Sequence, residues 1–366
     1  MKSLSTIAAT ALLAIGCAST PPAELNIAAM MPEKLDKANV ISFEGYNNWG
    51  TNIIKGKDGK YHAIYSRWER SRGHHAWVTH SEVAHAVADK LTGPYIHKDM
   101  ALPARGREYW DGDVTHNPHL IEADGKYYLY YMGNRGSGYW DTKPNDYYPT
   151  IKDKEWWVNR NNQQVGVAVA DDINGPWTRF DKPLIGVEGT NRMMTSTPTV
   201  SRRKDGTFLL AYKYVVPHPK YKNGQVIHVT ALSDSPLGPF VDTGKPFITH
   251  PTASFAIDDH VEWWEDGRYY CIAKDSRGVM SPHGEGATLL FTSDEEGMDW
   301  KLAENGNDLV LAPGTLKWRD GTETECNRTA DMPKLYFENG RPMALIIATL
   351  PKDSDDSFVT VIPLKR

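Results

Sequence analysis

The chain has 366 residues, of which 41 are Lys or Arg and 46 are Asp or Glu, giving a formal net charge of −5. This balance lacks the basic surplus of a nucleic-acid-binding protein and offers no basic patch to a membrane surface. The length exceeds that of a usual single domain, yet no Ser/Gly-rich linker or block of like charge divides it, so one large closed domain is expected.

The N-terminus has the pattern of an export signal. Met1-Lys2 is followed by an apolar stretch over residues 7–15 and then by Gly16-Cys17, and this stretch is too short to anchor stably across a bilayer. Cys17 directly after Gly16 resembles a bacterial lipoprotein box. We therefore predict a signal peptide over residues 1–17 and an N-terminal linker over 18–40. The protein would be lipid-anchored at Cys17 in the cell envelope, on the periplasmic or outer-membrane face, with plain secretion as the alternative.

A tight-turn signal recurs five times along the rest of the chain. The turns are Asp58-Gly59, Asp124-Gly125, Asp205-Gly206, Asp266-Gly267 and Asn339-Gly340. Apolar strands flank each turn, and Asp-Gly or Asn-Gly supplies the positive φ that a tight hairpin needs. A second marker recurs in phase, at Gly93-Pro94-Tyr95, Gly175-Pro176-Trp177 and Gly238-Pro239-Phe240, with Met298-Asp299-Trp300 as a degenerate fourth copy.

The two markers together predict an all-β fold, a single-domain five-bladed β-propeller over residues 41–366. A β-sandwich is the alternative, but it gives no reason for two markers to repeat together once per four strands. The last predicted strand, Phe358 to Ile362, would close the ring by completing blade five or by pairing with blade one. Cys271 and Cys326 lie in different predicted blades, so two unpaired, buried thiols are expected.

Candidate site residues come from the innermost strands, which run along the central channel of a propeller and converge at their open ends. Alignment of the five copies on their turns gives Asn47, Asn48, Trp49 and Thr51; Asp111, Asp113, His116, Asn117 and His119; Arg192, Thr195, Ser196 and Thr197; Asp258, Asp259, His260 and Glu262; and Glu323, Glu325, Asn327, Arg328 and Asp331. Acids and imidazoles beside apolar strands are costly to bury without partners or a substrate. The pattern therefore indicates an enzyme site.

Two segments outside the inner strands extend this prediction. Ser66 to Trp77 carries three arginines, two histidines and two tryptophans between the second and third strands of blade one. It is either a solvated hairpin or a rim loop that stacks on a sugar and pairs with a sulfate or carboxylate. Lys152 to Arg160, with Trp156-Trp157, is an insertion between strands of blade two and is expected to form part of the pocket wall.

With these elements the chain resembles the five-bladed glycoside hydrolases of the family 43 type and their relatives, among them family 117, which acts on red-algal galactans. The likeness spans nearly all of the mature chain. It is most specific at His116-Asn117-Pro118-His119 with the following Gly125-Lys126-Tyr127-Tyr128, and at Ser233 to Phe240. The resemblance implies carbohydrate chemistry in the axial pocket, usually removal of a terminal sugar, with no cofactor required and sometimes a calcium ion in the channel.

The sequence departs from family 43 where that family carries its catalytic base. An Asp is expected at the start of blade one, but the chain reads Asn47-Asn48-Trp49-Gly50-Thr51 there. For hydrolysis, which needs a protonated acid and an ionised base, we select the carboxyl groups of Asp113, Asp259 and Glu325. His116 or His260 is an alternative proton donor that resemblance to family 117 would allow.

Elimination on a uronic acid, by a lyase or a dehydratase, is the competing enzyme prediction. A neutral His would act as base while cationic groups stabilise the developing charge, and the residues suited to these roles are His75, His116, His119, Arg192 and Arg328. A non-catalytic glycan-binding lipoprotein is the third alternative.

The same clusters define a predicted ligand and its contacts. Because His and Arg are abundant there, the ligand is predicted to be an anionic oligosaccharide that contains uronic acid or sulfate. The protein is predicted to be a monomer. Membrane contact would be made through Cys17 alone. The predicted substrate-binding residues are Asn48, Trp49, His74, His119, Arg192, His260 and Arg328.

Overall fold

A computed structural model describes residues 25–136, 149–294 and 296–365, and over these residues it confirms the five-bladed β-propeller. Blade one contains β2 (Tyr46–Lys55), β3 (Tyr61–Glu69), β4 (Glu82–Ala88) and β5 (Ile96–Leu102). Blade two contains β6 (Val114–Ala123), β7 (Lys126–Asn134), β8 (Gln164–Ala170) and β9 (Thr178–Arg179). Blade three contains β10 (Met194–Arg202), β11 (Phe208–His218), β12 (Tyr221–Ser233) and β13 (Val241–Pro246).

The last two blades carry extra strands. Blade four contains β14 (Ile257–Glu265), β15 (Arg268–Asp275), β16 (Thr288–Ser293) and β17 (Lys301–Leu302), with β18 (Leu309–Leu311) also paired to β16. Blade five contains β20 (Glu323–Glu338), β21 (Arg341–Pro351) and β22 (Phe358–Pro363), with β19 (Thr315–Lys317) beside the start of β20.

Both sequence markers occupy equivalent places in the blades. All five Asp-Gly or Asn-Gly pairs lie between the innermost strand of a blade and its second strand. Where both turn residues have positive φ, as in Asp124-Gly125 (51° and 80°), the pair forms the tight hairpin that such dipeptides favour. Each of the three Gly-Pro pairs lies between the third and fourth strands of its blade and has a cis peptide bond.

The N-terminal segment closes the ring. Strand β1 (Val40–Ile41) pairs with β22, so that Val40 lies opposite Thr360 and completes the outer edge of blade five. Of the two predicted closures, completion of blade five is therefore confirmed. Before β1, helix α1 (Ile27–Met30) buries Ile27 against blades four and five. The predicted linker is thus packed against the propeller from residue 25 onward, whereas residues 1–24, with Cys17, lie outside the described residues.

Every innermost strand contains a β-bulge at the same height. The register shifts at this point in each strand, and the bulged residue adopts a left-handed conformation: Gly50 (φ 51°), Asn117 (49°), Thr197 (52°), Asp259 (52°) and Met332 (47°). A bulge leaves one residue unpaired and turns nearby side chains to a new direction. The five bulges therefore form a ring that sets which side chains face the propeller axis.

Two short helices lie above this ring. Helix α2 (Trp77–His80) follows β3 of blade one, and helix α3 (Lys154–Asn161) lies between β7 and β8 of blade two, within the predicted insertion. No helix in the described part of the chain is long and apolar enough to cross a membrane. Cys271 and Cys326 are both free; Cys271 is buried, and Cys326 is partly exposed.

Candidate active site

The ring of bulges opens into an axial cavity of about 1410 Å³. Residues at or just before the bulges line it in every blade: Trp49, His116, Asn117, Ser196, Thr197, Asp258, Asp259 and Asp331. Second-strand residues opposite the bulges add Met132, Lys213 and Lys274 to the lining. The β-bulge that recurs in all five innermost strands therefore positions these side chains in the site.

Carboxylates from blades four and five and two lysines form a buried ionic network in the cavity floor. Lys213 donates to Oδ1 of Asp258 at 2.6 Å, and Lys274 donates to Oδ2 of Asp259 at 2.8 Å. The ammonium of Lys274 also lies 2.8 Å from Oδ2 of Asp331. Since buried charges need partners to be tolerated, the network explains how several carboxylates persist together below the surface.

The pKa values of the two neighbouring carboxyl groups are shifted in opposite directions. Burial raises the pKa of Asp258, against the opposing charge of Lys213. Burial acts in the same direction on Asp259, but Lys274 and Lys213 together outweigh it and hold the pKa of Asp259 below its usual value. Two neighbouring carboxyl groups whose pKa values are moved apart are the kind of pair from which acid–base catalysis draws its acid and its base.

Aromatic and imidazole rings from blades one and two form one wall of the cavity. The ring centroid of Trp77 lies 4.9 Å from that of His116, with the planes stacked at 20°. Nδ1 of His116 is 2.7 Å from Oγ of Ser81, which fixes the orientation of the ring. Trp49 lies edge-on to His74, with centroids 5.0 Å apart. Such rings combine an apolar face with polar edges and suit contact with a sugar.

The wall histidines are neutral at physiological pH. Burial lowers the pKa of His116 to about 3, and burial assisted by Arg328 lowers the pKa of His74 to about 3. An imidazole in this state accepts a proton or a hydrogen bond but holds no spare proton as an imidazolium.

A second buried layer lies below the ring of bulges. Oε2 of Glu262 accepts a 2.6 Å hydrogen bond from Oγ1 of Thr199. Burial raises the pKa of Glu262 to about 7. Burial lowers the pKa of the nearby Lys334 to about 8, although the negative charge of Glu262 acts in the opposite direction. Lys334 Nζ and Nδ1 of His119 have no hydrogen-bond partner within the described ranges. This packed layer closes the propeller axis beneath the cavity floor.

Of the residues given a catalytic or substrate-binding role from the sequence, the structure places five on the cavity lining: Trp49, His74, His116, Asp259 and Arg328. Of the remaining substrate-binding candidates, His119 and His260 belong to the buried layer beneath, and Asn48 is buried with its amide donating to the Tyr46 carbonyl. Arg192 pairs with Asp242 and stacks on Tyr214, away from the lining.

The other predicted catalytic residues also lie off the lining. Asp113 borders a separate cavity of about 390 Å³, where its Oδ2 accepts from the Gly136 amide at 2.6 Å. The Glu325 side chain is 68% exposed and pairs with Lys352. His75 is exposed above the wall, edge-on to Trp156. The structure therefore does not bring Asp113 and Glu325 together with Asp259.

The residues that complete the site were outside the predicted catalytic set: Asp258, Asp331, Lys213, Lys274, Trp77, Trp156 and Arg160. A proline directly follows the bulge in three blades, at Asn117-Pro118, Thr197-Pro198 and Met332-Pro333. Proline lacks an N–H and is tolerated at bulges. Alignment on this third marker would have matched Asp331 to His116 and Ser196.

A calcium ion does not fit the floor of this cavity. Asp259 and Asp331 are the carboxylates from neighbouring blades that would share such an ion, but the ammonium of Lys274 already lies between them. Calcium needs six to eight oxygen ligands, and the described residues contain no cluster of three or more His, Cys, Asp or Glu able to hold a metal.

Charge in the cavity has the opposite sign to that of the whole chain. Among the described residues, seven basic side chains line it (Arg160, Lys213, Lys220, Lys222, Lys274, Arg277 and Arg328) against four acidic ones (Asp258, Asp259, Glu285 and Asp331). The lining thus has a surplus of three positive charges on a protein with a net charge of −5. Clefts of one sign concentrate ligands of the other.

Solved structures with this architecture are similar over almost the whole chain. A family 117 glycoside hydrolase from Zobellia galactanivorans is 17% identical with a TM-score of 0.59, covering 91% of this chain and 89% of its own. BT0996, solved as a complex with RGII, is 15% identical with a TM-score of 0.63 and 92% coverage of both proteins. An α-L-arabinofuranosidase from Lactobacillus brevis is 12% identical with a TM-score of 0.57, covering 90% and 92%.

The sequence itself matches no family model and no curated protein. At identities of 12% to 17%, the structural likeness establishes the fold. The chain therefore has the five-bladed β-propeller fold of glycoside hydrolases, with neighbours of the family 43 and family 117 types, as its sequence predicted.

Proposed function

We propose that this protein is a glycoside hydrolase that removes a terminal sugar from anionic oligosaccharides. The observation that carries the proposal is the Asp258-Asp259 pair, whose pKa values are moved in opposite directions at the floor of the axial cavity. Because Glu262 and Lys334 are buried beneath the cavity, a saccharide chain cannot thread along the propeller axis.

In this mechanism the carboxylic acid of Asp258 donates its proton to the glycosidic oxygen as the bond to the anomeric carbon breaks. Lys213 is bonded to Oδ1 of Asp258, which leaves Oδ2 for the substrate. The ionised Asp259 takes a proton from the attacking water, so one water is added for each bond cleaved. Lys274 keeps Asp259 ionised and oriented, and the mechanism needs no metal.

The histidines fit the role of acid less well than Asp258 does. With its pKa lowered to about 3, His116 is a neutral imidazole at neutral pH and lacks the acidic proton of an imidazolium. We assign His116 and His74 to hydrogen bonds with sugar hydroxyl groups, beside the stacking surfaces of Trp49 and Trp77. The proton donor that resemblance to family 117 would allow is therefore replaced here by a carboxylic acid.

The positive surplus of the cavity lining supports an anionic substrate. The complex of BT0996 with RGII supports an oligosaccharide as the ligand of this architecture. A uronic acid or a sulfate ester on the terminal sugar provides the negative charge. Equal activity on neutral arabinosides or xylosides would contradict this part of the proposal.

Mass spectrometry of reaction products tests the proposal directly. The purified protein is incubated with neutral, uronic-acid-containing and sulfated oligosaccharides, with Asp259→Asn as the control variant. Release of a terminal sugar with gain of one water, absent in the variant, establishes the hydrolase. Binding without turnover by the wild type would instead point to the glycan-binding alternative.

Elimination on a uronic acid is the second candidate, and the neutral state of His116 is the observation that favours it. A neutral imidazole can remove the proton next to a sugar carboxylate while Arg328 stabilises the developing charge. The same experiment separates the two reactions. Elimination gives cleavage without gain of water, or loss of one water without cleavage, and in both cases an unsaturated sugar that absorbs ultraviolet light.

We also propose that the protein acts as a monomer anchored in the cell envelope by lipid on Cys17. The pattern around Gly16-Cys17 supports this location. Mass spectrometry of the mature N-terminus after expression in a bacterium tests it, with Cys17→Ser as the variant. A mature chain that starts elsewhere and carries no lipid would favour plain secretion.

A further inference from the structure

The wall of the cavity on the side of blade two is an insertion fixed to its surroundings by side-chain hydrogen bonds. The indole nitrogen of Trp156, in helix α3, donates to the His75 carbonyl of blade one at 2.9 Å. At the end of the helix, the Asn162 amide donates to the Arg135 carbonyl at 2.7 Å. Trp156 also packs perpendicular to Trp77 of helix α2, with ring centroids 6.0 Å apart. Helix α3 is therefore held firmly beside the cavity.

Arg160 projects from the last turn of this helix into the cavity lining. Its guanidinium lies 5.9 Å from the ring centroid of Trp157, and Nη1 donates to Oδ1 of Asn161 at 3.0 Å. Among the residues that the structure describes, Arg160 forms no ion pair. It is thus a positive charge in the wall without an acidic partner there.

Arg160 differs in this respect from the cations of the floor. Lys213 and Lys274 each bond to an aspartate, and Arg328 donates to Oδ2 of Asp331 at 2.7 Å. Burial lowers the pKa of Arg160 to about 10, against the opposing influence of Asp258. Arg160 and the proposed acid, Asp258, line the same cavity. An anion bound at Arg160 would therefore lie in the cavity that holds the carboxyl pair.

The chemistry of the side chain identifies the ligand class. A guanidinium offers a planar fork of N–H donors that matches the two oxygens of a carboxylate or a sulfate, and it is more weakly hydrated than an ammonium. Trp77 and Trp49 provide apolar faces on the same wall for the sugar ring. A sugar ring stacked there would share the cavity with Arg160.

We propose that Arg160 binds the acidic substituent of the terminal sugar and selects anionic over neutral substrates. This inference rests on the proposed function for the identity of the reaction, but recognition of the anion can be measured separately. Specificity would then come from the blade-two insertion, whereas the bulge ring of the propeller supplies the carboxyl pair.

The test uses Arg160→Gln, Arg160→Lys and the matched control Arg202→Gln, an exposed arginine that pairs with Asp124. Each protein is assayed on a uronic-acid oligosaccharide and its carboxyl-reduced form, and on a sulfated oligosaccharide and its desulfated form. Arg160→Gln is expected to lower kcat/KM on the matching anionic substrate about 10- to 100-fold, the effect of losing a charge-assisted hydrogen bond. Its activity on the neutral forms should change less than about 2-fold.

The two anionic pairs distinguish the carboxylate from the sulfate, because Arg160→Gln should weaken one of them alone. Arg160→Lys should fall between wild type and Arg160→Gln, since it keeps the charge and loses the fork. If Arg160→Gln melts at a lower temperature than Arg202→Gln, the comparison of Arg160→Lys with wild type replaces it as the test. Equal losses on an anionic substrate and its neutral form would overturn the proposal, even with the hydrolase established.

If the wild type turns over no oligosaccharide, calorimetric binding to the same four ligands becomes the readout. Weaker binding of an anionic ligand by Arg160→Gln, with Arg202→Gln unchanged, would support anion recognition while the hydrolase assignment fails. Unchanged affinity in Arg160→Gln would overturn the recognition role as well.

Discussion

Asp258 and Asp259 are adjacent in the sequence, yet they bind lysines from different blades. Asp258 accepts from Lys213 of blade three, whereas Asp259 accepts from Lys274 of blade four. The left-handed conformation of Asp259, with φ 52°, places it on the β-bulge and lets both carboxyl groups line the same cavity. In a regular strand, successive side chains point to opposite faces. The bulge therefore creates the pair.

Substitution of this pair should separate the axial site from the other predicted carboxylates. Asp258→Asn and Asp259→Asn are each expected to lower kcat about 100- to 10,000-fold, because each removes a proton-transfer group. Asp113→Asn and Glu325→Gln are matched controls from outside the cavity lining, and they should retain near wild-type kcat. Steady-state kinetics on the best anionic substrate measures the difference. A large loss in either control would move the site away from blade four.

A second prediction concerns Lys274, which lies between Asp259 and Asp331. Lys274→Met is expected to lower the free energy of unfolding by about 3 to 5 kcal/mol, because it leaves the buried carboxylate of Asp259 without its ammonium partner and leaves Asp331 paired with Arg328 alone. Activity should fall with it, since the pKa of Asp259 is no longer held down. Urea unfolding at pH 7 gives the free energy.

The matched control for this substitution is Lys352→Met, which removes the ammonium of a surface pair with Glu325. Exposed pairs contribute little to stability, so this variant should unfold at nearly the wild-type urea concentration. Similar losses in both lysine variants would contradict a special role for the buried network.

The position of Lys274 also predicts how the activity of the protein responds to metal chelation. Because Lys274 Nζ lies 2.8 Å from both Asp259 and Asp331, a divalent ion would have to displace an ammonium to bind them. Prolonged treatment with EDTA should therefore leave kcat unchanged, and added calcium should not raise it. Loss of activity on chelation, restored by calcium, would show that a metal acts elsewhere in the channel.

The repeat of the fold could be predicted from local sequence, whereas the composition of the site depends on distant contacts. Asp-Gly and Asn-Gly fix the hairpins by themselves because the conformation that they need is local. Lys213 and Lys274, however, are opposite the bulges of their neighbouring strands, and nothing in their local sequence shows this. Asp113 and Glu325 lie several residues ahead of the bulge residues Asn117 and Met332, and alignment on the hairpin turns does not separate them from the side chains at the bulge.

The wall of the cavity illustrates a second limit. The insertion over residues 152–160 was predicted to form part of the pocket, and Trp156 and Arg160 do line it. Its orientation depends on contacts such as that between Trp156 and Trp77, which belong to different blades. Of the Ser66–Trp77 loop, His74 and Trp77 reach the cavity, but Arg70 pairs with Asp356 instead. The composition of these two segments predicted that they border the cavity, but which of their side chains face it depends on packing against other blades.

The last prediction is a pH dependence of stability that comes from the buried Glu262. Burial raises its pKa from 4.5 to about 7, so the folded protein holds this proton more tightly than the unfolded chain does. The resulting stability is fully present below pH 4.5 and is lost as the pH rises through 7. The pKa of Lys334 is lowered from 10.5 to about 8, so its contribution to stability changes only at pH values above about 8.

Comparison with Glu262→Gln isolates this effect, because Gln keeps an oxygen for the Thr199 hydroxyl but cannot ionise. The buried histidines His74 and His116 oppose the trend between pH 3 and 6.5, since their pKa values are lowered, but they do so equally in both proteins. Urea unfolding between pH 4.5 and 7.5 should show the variant gaining stability over the wild type by up to about 3 kcal/mol. A difference that stays constant with pH would mean that Glu262 does not change its protonation on folding.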